Sequence, residues 1–382
     1  MRHWIPRTPR NVPTFLIVSV AMLLFLGCGE AYYSDYYSLQ LTPSAAAQEV
    51  VSVLNFGDSI TCGYDAQPNN GTGNVYSTQG YAGLMDTWLA KPVRNFCRAG
   101  DQAADMTKLW VYPNAAPVSG RGQLFTVLIG TNNAIYCGGS SACLANWSGA
   151  LSASLTWLAL PASDKVLGSS LGNAGSAWST DSTLANALDT RVHGATLSFK
   201  VQQAVAGRTL YVGYRVFDSN VQNAGTATLS VDGQQVAILN ATVNTGHALA
   251  TQNGTTDTVF VQGVPLGAVG THVVSLTTTS SDGALFSFVW AGVSSGIYTA
   301  ANGGPRVVIG SIPQSPSAPL NGIIQVYNAY LSTLITGLTA DGMNIQIAPV
   351  YGVLDPSTDF VDTVHPNNVG HAKLAQVFAT TI

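Results

Sequence analysis

The chain has 382 residues, enough to bury a large core in two domains or in one elaborated domain. Only 9% of the residues are charged and the net charge is -4, with no Lys/Arg run, so no nucleic-acid partner is expected. The low charge and the many small polar residues fit an extracytoplasmic protein rich in loops and strands.

Residues 1–28 read as a targeting segment. Arg2, His3, Arg7 and Arg10 form a basic start, followed by an apolar stretch from Phe15 to Gly27. That stretch is shorter than the ~20 residues a helix needs to span a bilayer. It ends in Phe25-Leu26-Gly27-Cys28, which resembles a bacterial lipobox in which Cys28 is lipidated after cleavage before it. Phe25 stands where leucine is usual, and an ordinary cleaved signal peptide is the alternative. The protein is therefore expected outside the cytoplasm, secreted or lipid-anchored, with Cys28 as the means of membrane attachment.

Four cysteines remain once Cys28 is set aside, an even number suited to an oxidising compartment. Cys137 and Cys143 enclose a short Gly/Ser loop that a disulfide can close, which leaves Cys62 to pair with Cys97. No Cys/His group has zinc spacing, so neither metal nor cofactor is expected.

Residues 29–49 lack apolar periodicity and read as a linker. From 50 to 162 apolar runs alternate with helix-like stretches. The runs Val51–Phe56, Val93–Phe96 and Leu124–Ile129 each end in a loop bearing Gly or Asn. This predicts a parallel sheet with functional residues at the carboxyl ends of its strands. From 163 to 298 the texture changes to short alternating runs, such as Ala195–Val201 and Thr209–Val216, with a hairpin signal at Asp232-Gly233. These predict an all-β sandwich. The α/β pattern returns from 299 to 382. The fold expected is an α/β domain interrupted by a β-sandwich.

Two distant segments carry chemistry-bearing residues. Gly57-Asp58-Ser59-Ile60 follows the first apolar run, and Asp362-Thr363-Val364-His365 lies near the C-terminus. A serine where a helix begins, with a histidine and an aspartate three residues apart, supplies a nucleophile, a base and an orienting carboxylate. Free N–H groups at a helix start favour a developing oxyanion. Between these segments, Asn95 to Asp101 follows the second run and Gly130-Thr131-Asn132-Asn133 follows the third.

This ordered set of four blocks resembles the SGNH/GDSL hydrolase superfamily of serine esterases. The resemblance covers the two α/β parts, about half of the chain. It implies a flavodoxin-like three-layer α/β/α fold with a parallel sheet. It also implies Ser59 as nucleophile, His365 as general base and Asp362 as the carboxylate that orients the imidazole. The oxyanion hole would be the N–H of Ser59, the N–H of Gly100 and the side-chain amide of Asn132, each donor worth about 3 kcal/mol. Two positions depart from the pattern: Cys97 stands where glycine is usual, and Asn133 where aspartate is usual.

Other polar residues read as structural. Asp58 is expected to stabilise its loop, and His371 to be a solvated or capping histidine. His193, His247 and His272 have no carboxylate motif beside them. Arg98, Asp101 and Gln102 are expected to be solvated, with substrate contact as the alternative. Trp178 and Trp290 are expected in the core, with stacking on sugar rings as the alternative. The insert resembles, in texture alone, carbohydrate-binding modules found within some SGNH carbohydrate esterases. The expected substrate is therefore a carboxylic ester, an O-acetyl group on a polysaccharide. An O-acyltransferase, a lipase-like esterase and a non-catalytic glycan-binding protein are the alternatives.

Overall fold

A computed structural model describes residues 39, 41–64, 66, 77–115, 122–171, 177–218, 223–243, 249, 251–296 and 304–382. Cys28, with the targeting segment, and His247 lie outside these residues.

Three strands open the chain's main body: β1 (Ser52–Gly57), β2 (Val93–Cys97) and β3 (Gln123–Leu128). The middle of the chain carries β4 (Lys165–Leu167), β5 (Ser179–Thr180), β6 (Leu188–Thr190), β7 (Thr196–Gln203), β8 (Thr209–Asp218) and β9 (Thr226–Val231). It continues with β10 (Gln234–Asn240), β11 (Thr242–Val243), β12 (Asp257–Pro265), β13 (Gly270–Thr278) and β14 (Phe286–Val293). Two more strands follow, β15 (Arg306–Gly310) and β16 (Ile345–Ala348).

The first three strands and the last two form one parallel sheet in the order β2-β1-β3-β15-β16. This is the flavodoxin-like order, in which the crevice beyond the strands' carboxyl ends opens where the winding reverses, here between β1 and β3. Both faces of the sheet are covered at its centre, so β1, β3 and β15 are buried over all but their first residue. Leu54, Phe56, Phe125, Val127, Val307 and Ile309 belong to the same core as the helices Ser141–Ala159 and Ala318–Ala340. On the helices Tyr81–Leu89 and Asn368–Thr381, Tyr81 stacks on Phe378 with ring centroids 5.0 Å apart.

The eleven middle strands form two sheets, one of four strands (β10-β9-β13-β7) and one of seven centred on β8 and β14. A separate apolar core fills the space between them, with Leu197, Phe199, Leu229, Leu276, Phe286 and Phe288 among its members. The outer sheet alternates as a half-exposed strand should, clearest in β7. The larger sheet does not, because its far face packs on the α/β part. Every residue of β14 is buried. Its register shifts between Phe288 and Trp290, which turns Val289 and Trp290 into the α/β core while Phe288 and Ala291 stay in the sandwich core.

Trp290 meets Trp157 edge-on at 5.7 Å and donates its indole N–H to the Tyr112 hydroxyl at 2.6 Å. Gly213 lies beneath that indole, and a Cβ there would sit 2.3 Å from its nitrogen. The insert is thus seated on the α/β part by a continuous apolar core rather than hung from it. Trp178 is buried in the sandwich core, so neither tryptophan is placed to stack on a sugar.

The end of the expected linker is built into this body. Ser44 accepts from the N–H of Ala47 at 3.0 Å and so caps a short helix, Ala45–Gln48. Its hydroxyl also donates to the Ile382 carbonyl at 3.2 Å, and Trp88 donates to the Leu41 carbonyl at 2.6 Å. The cap-then-alanine signal was legible, but four residues are too few to register as a periodicity.

Candidate active site

The three loops carrying the first three blocks leave the carboxyl ends of β1, β2 and β3. Asp58 caps the one-turn helix Ser59–Cys62, its Oδ1 accepting the Ile60 N–H at 3.0 Å. Gly63, with φ +74°, closes that turn: its N–H bonds to the Ile60 carbonyl and the Tyr64 N–H to the Ser59 carbonyl. This pair of bonds is the Schellman closure, which needs a left-handed residue and suits glycine. Ser59 is thereby held at the top of β1, and its side chain faces the fourth block.

Ser59 Oγ lies 3.0 Å from His365 Nε2, and His365 Nδ1 lies 2.7 Å from Asp362 Oδ2. The structure therefore brings the two segments, 306 residues apart, into one hydrogen-bonded relay. Asp362 and His365 do not sit on a helical turn. Asp362 Oδ1 accepts the N–H groups of Val364 and His365, each at 2.6 Å, in an Asx-type turn. The turn is closed by Val361 N–H bonding to the His365 carbonyl at 3.0 Å, and pinned by Ser315 Oγ on the Thr363 carbonyl at 2.7 Å. Partial burial alone would raise the Asp362 carboxyl. The bonds from the His365 ring and the two N–H groups outweigh it and hold the acid below its ordinary range.

Asn132 is buried near the start of the helix Thr131–Tyr136, after Gly130 at φ +126°. Its Nδ2 donates to the Asp101 carbonyl at 3.1 Å, which seats the amide against the loop bearing Gly100. The second hydrogen of that amide faces Asp58 Oδ2 at 3.5 Å, longer than an ordinary hydrogen bond. It is the less committed of the two donors. Asn133 holds its own post: Oδ1 accepts the Ala103 N–H at 3.0 Å, a bond an amide oxygen makes as well as a carboxylate.

Both disulfides are present, Cys62–Cys97 and Cys137–Cys143. The first ties the Ser59 helix to the end of β2, just before the Gly100 loop. The second joins the end of the Asn132 helix to the start of the helix Ser141–Ala159.

Three expectations are corrected. Asp101 and Gln102 are buried rather than solvated. Asp101 accepts from Arg98 Nε at 2.8 Å and from the Trp110 indole at 2.6 Å, while burial pushes its carboxyl up to about 6. His371 is wholly buried, because its helix turns that face onto the helix Tyr81–Leu89. It accepts the Tyr81 N–H at 3.3 Å, and burial pushes its imidazole down to about 4. His272, without a carboxylate nearby in sequence, meets Asp232 Oδ2 at 2.7 Å across strands. Asp58 is buried beside Ser59, and burial pushes its carboxyl up to about 7 against the bond from Ile60.

Two contributions were not foreseen. Tyr64 packs its ring against the His365 imidazole with centroids 4.5 Å apart. Its signal was Gly63-Tyr64, one turn past the serine. The other comes from the insert, where Asn253 bonds to the Gly100 loop and Gln252 Oε1 lies 2.7 Å from where a Gly100 Cβ would stand. No sequence signal marks a contact between residues about 150 apart.

No protein-family model and no curated protein matches the chain. Among solved structures, a member of the lipolytic G-D-S-L family from Veillonella parvula shares 12% identity, with 86% of this chain and 96% of that one covered and a TM-score of 0.38. A two-domain esterase active on acetylated mannans shares 11% identity over 66% of this chain and 94% of its own, with a TM-score of 0.34. A family 36 carbohydrate-binding module, in complex with calcium and xylotriose, shares 19% identity over 34% of this chain and 98% of its own, with a TM-score of 0.26.

Proposed function

We propose that the chain is an extracytoplasmic serine esterase of SGNH/GDSL type that cleaves carboxylic esters through an acyl-enzyme on Ser59. The observation that carries this reading is the relay Asp362–His365–Ser59, with contacts of 2.7 and 3.0 Å. Ser59 Oγ attacks the ester carbonyl carbon as His365 Nε2 takes its proton. Negative charge develops on the carbonyl oxygen, facing the N–H groups of Ser59 and Gly100 and the amide of Asn132. Collapse breaks the ester C–O bond, and the imidazolium returns the proton to the leaving alcohol. Water then attacks the acyl-enzyme with His365 as base, releasing the acid and restoring the serine. Asp362 keeps the imidazole in the tautomer that presents a free Nε2 lone pair, and steadies the imidazolium.

The ester is an O-acetyl group on a polysaccharide. Support comes from the sandwich inserted beside the site and from its polar rim of Gln252 and Asn253. Attachment to the cell envelope is through lipidated Cys28, or the protein is released after signal cleavage. Turnover of a small aryl acetate by wild type and by Ser59→Ala tests the chemistry, and equal rates would sink it. Acetate release from acetylated glycans, with and without an acceptor sugar, separates hydrolysis from acyl transfer.

A further inference from the structure

Arg98, Ala99, Gly100 and Asp101 form a four-residue turn, closed by the Asp101 N–H on the Arg98 carbonyl at 3.2 Å. Gly100, the third residue, has φ +78°, whereas Ala99 is not among the residues with positive φ. These are the marks of a type II turn. Its central peptide joins the Ala99 carbonyl to the Gly100 N–H, the group assigned above to the oxyanion hole. Rotating that peptide by half a turn gives a type I turn, and glycine adopts either at little cost. The backbone of this loop therefore leaves the direction of the Gly100 N–H open.

The insert closes that choice. Asn253 Nδ2 donates to the Ala99 carbonyl at 3.1 Å and to Asp101 Oδ1 at 2.8 Å. Two oxygens face this end of the amide, which makes it the NH2 end. A trans peptide is planar, with its C=O and N–H pointing opposite ways, so holding the oxygen aims the hydrogen. In the rotated peptide the Gly100 N–H would face the Asn253 donor and the Ala99 carbonyl would lose its partner. The loop bearing Asn253 is itself anchored: Thr251 Oγ1 donates to Asp105 Oδ1 at 2.7 Å and accepts the Thr255 N–H at 2.9 Å.

We propose that Asn253, on the inserted β-domain, is a positioning residue that holds the Ala99–Gly100 peptide with its N–H turned toward the oxyanion. This rests on the esterase reading and gives the insert a part in the chemical step itself. The insert need not touch the ester to do so, because it acts through one amide-to-carbonyl bond.

The test is hydrolysis of an aryl acetate by wild type, Ser59→Ala, Asn253→Ala and Thr258→Val. Thr258 Oγ1 donates to the Ala104 carbonyl at 3.0 Å, so its variant removes another bond between insert and α/β part without touching the Ala99–Gly100 peptide. Asn253→Ala should lower kcat by about 100-fold, the scale of losing one oxyanion donor, and leave KM within about threefold. Its affinity for a boronic acid that binds as a tetrahedral adduct should fall in parallel. Thr258→Val should lower Tm and keep kcat. Asn253→Asp, which sets an acceptor against two oxygens, should fall at least as far as Asn253→Ala. A kcat for Asn253→Ala within about twofold of wild type, with Ser59→Ala inactive, overturns the proposal. An equal loss of kcat in Thr258→Val overturns it too. Activity in Ser59→Ala would instead overturn the esterase reading on which it rests.

Discussion

Among the described residues, two histidine–aspartate pairs share the same first contact and differ in what lies beyond it. His365 Nδ1 meets Asp362 at 2.7 Å in the α/β part, and His272 Nδ1 meets Asp232 at 2.7 Å in the insert. The difference lies at the other ring nitrogen. His365 Nε2 faces the Ser59 hydroxyl, which can donate. His272 Nε2 faces the Gln203 Oε1 at 2.9 Å and the Ala268 carbonyl at 3.0 Å. Gln203 cannot turn its amide around without losing its own bond to Val205. His272 thus has oxygen acceptors at both nitrogens, which favours its protonated form. The bond to Asp232 leads the causes that raise its affinity for the proton, against slight burial. A carboxylate beside a histidine is therefore not a base in waiting; what the far nitrogen faces decides.

The largest effect breaks or keeps this contrast. Ser59→Ala and His365→Ala should each cut aryl acetate turnover by about 10⁴- to 10⁶-fold, and Asp362→Asn by about 10⁴-fold. His272→Ala should leave it at the wild-type rate. A comparable loss in His272→Ala would show that the two pairs are not distinct.

The next effect concerns what holds the loops around Ser59 and Asn132 together. Cys62–Cys97 closes a separation of 35 residues and Cys137–Cys143 one of 6. Loop-closure entropy then makes the first worth about 4 kcal/mol and the second about 2 kcal/mol. Calorimetry of Cys62→Ala/Cys97→Ala and of Cys137→Ala/Cys143→Ala should give the larger fall in Tm for the former. The former should also lose more activity, since it frees the serine's helix from the Gly100 loop.

Asp58 and Asp362 extend the contrast to carboxylates, one pushed up and one held down. With Asp58 near 7 when folded and 3.8 ordinarily, the folded state alone keeps its proton across that window. The stability from this group is present at low pH and is lost as pH rises toward and past 7. Asp58→Asn keeps the acceptor for Ile60 and cannot ionise. Its Tm should gain on wild type steadily from pH 4 to pH 8, and a constant gap would mean that Asp58 titrates as in water.

The smallest effect belongs to the insert's pair. The affinity of His272 for its proton is raised on folding, so its contribution is complete below the ordinary histidine range and fades as pH rises through the folded value. Thermal melts of His272→Ala should show a small deficit at pH 5 that vanishes by pH 9.

The placing of the candidate site residues was more legible than their setting. Block order put Ser59, Asn132 and His365 within reach of one another because loops at the carboxyl edge of a parallel sheet converge there whatever lies between. The Asp362–His365 spacing was legible as three residues along the chain, and the Asx turn that brings the two side chains together was not. Beyond the local bonds of Asp101, what sequence missed is long-range. His272–Asp232, the burial of His371, and Asn253 on Ala99 each depend on which strands and helices become neighbours.

By itself the sequence determined what is local or periodic: the apolar runs, the change to alternating strands in the middle, the cysteine count and the four blocks. Tertiary structure alone decided what each polar group faces. A histidine's role depends on both ring nitrogens, and a peptide's direction on a partner that folding delivers from another domain. Hydrogen bonds are short and directional, whereas the sequence orders residues along the chain and leaves their neighbours across space to the packing of the core.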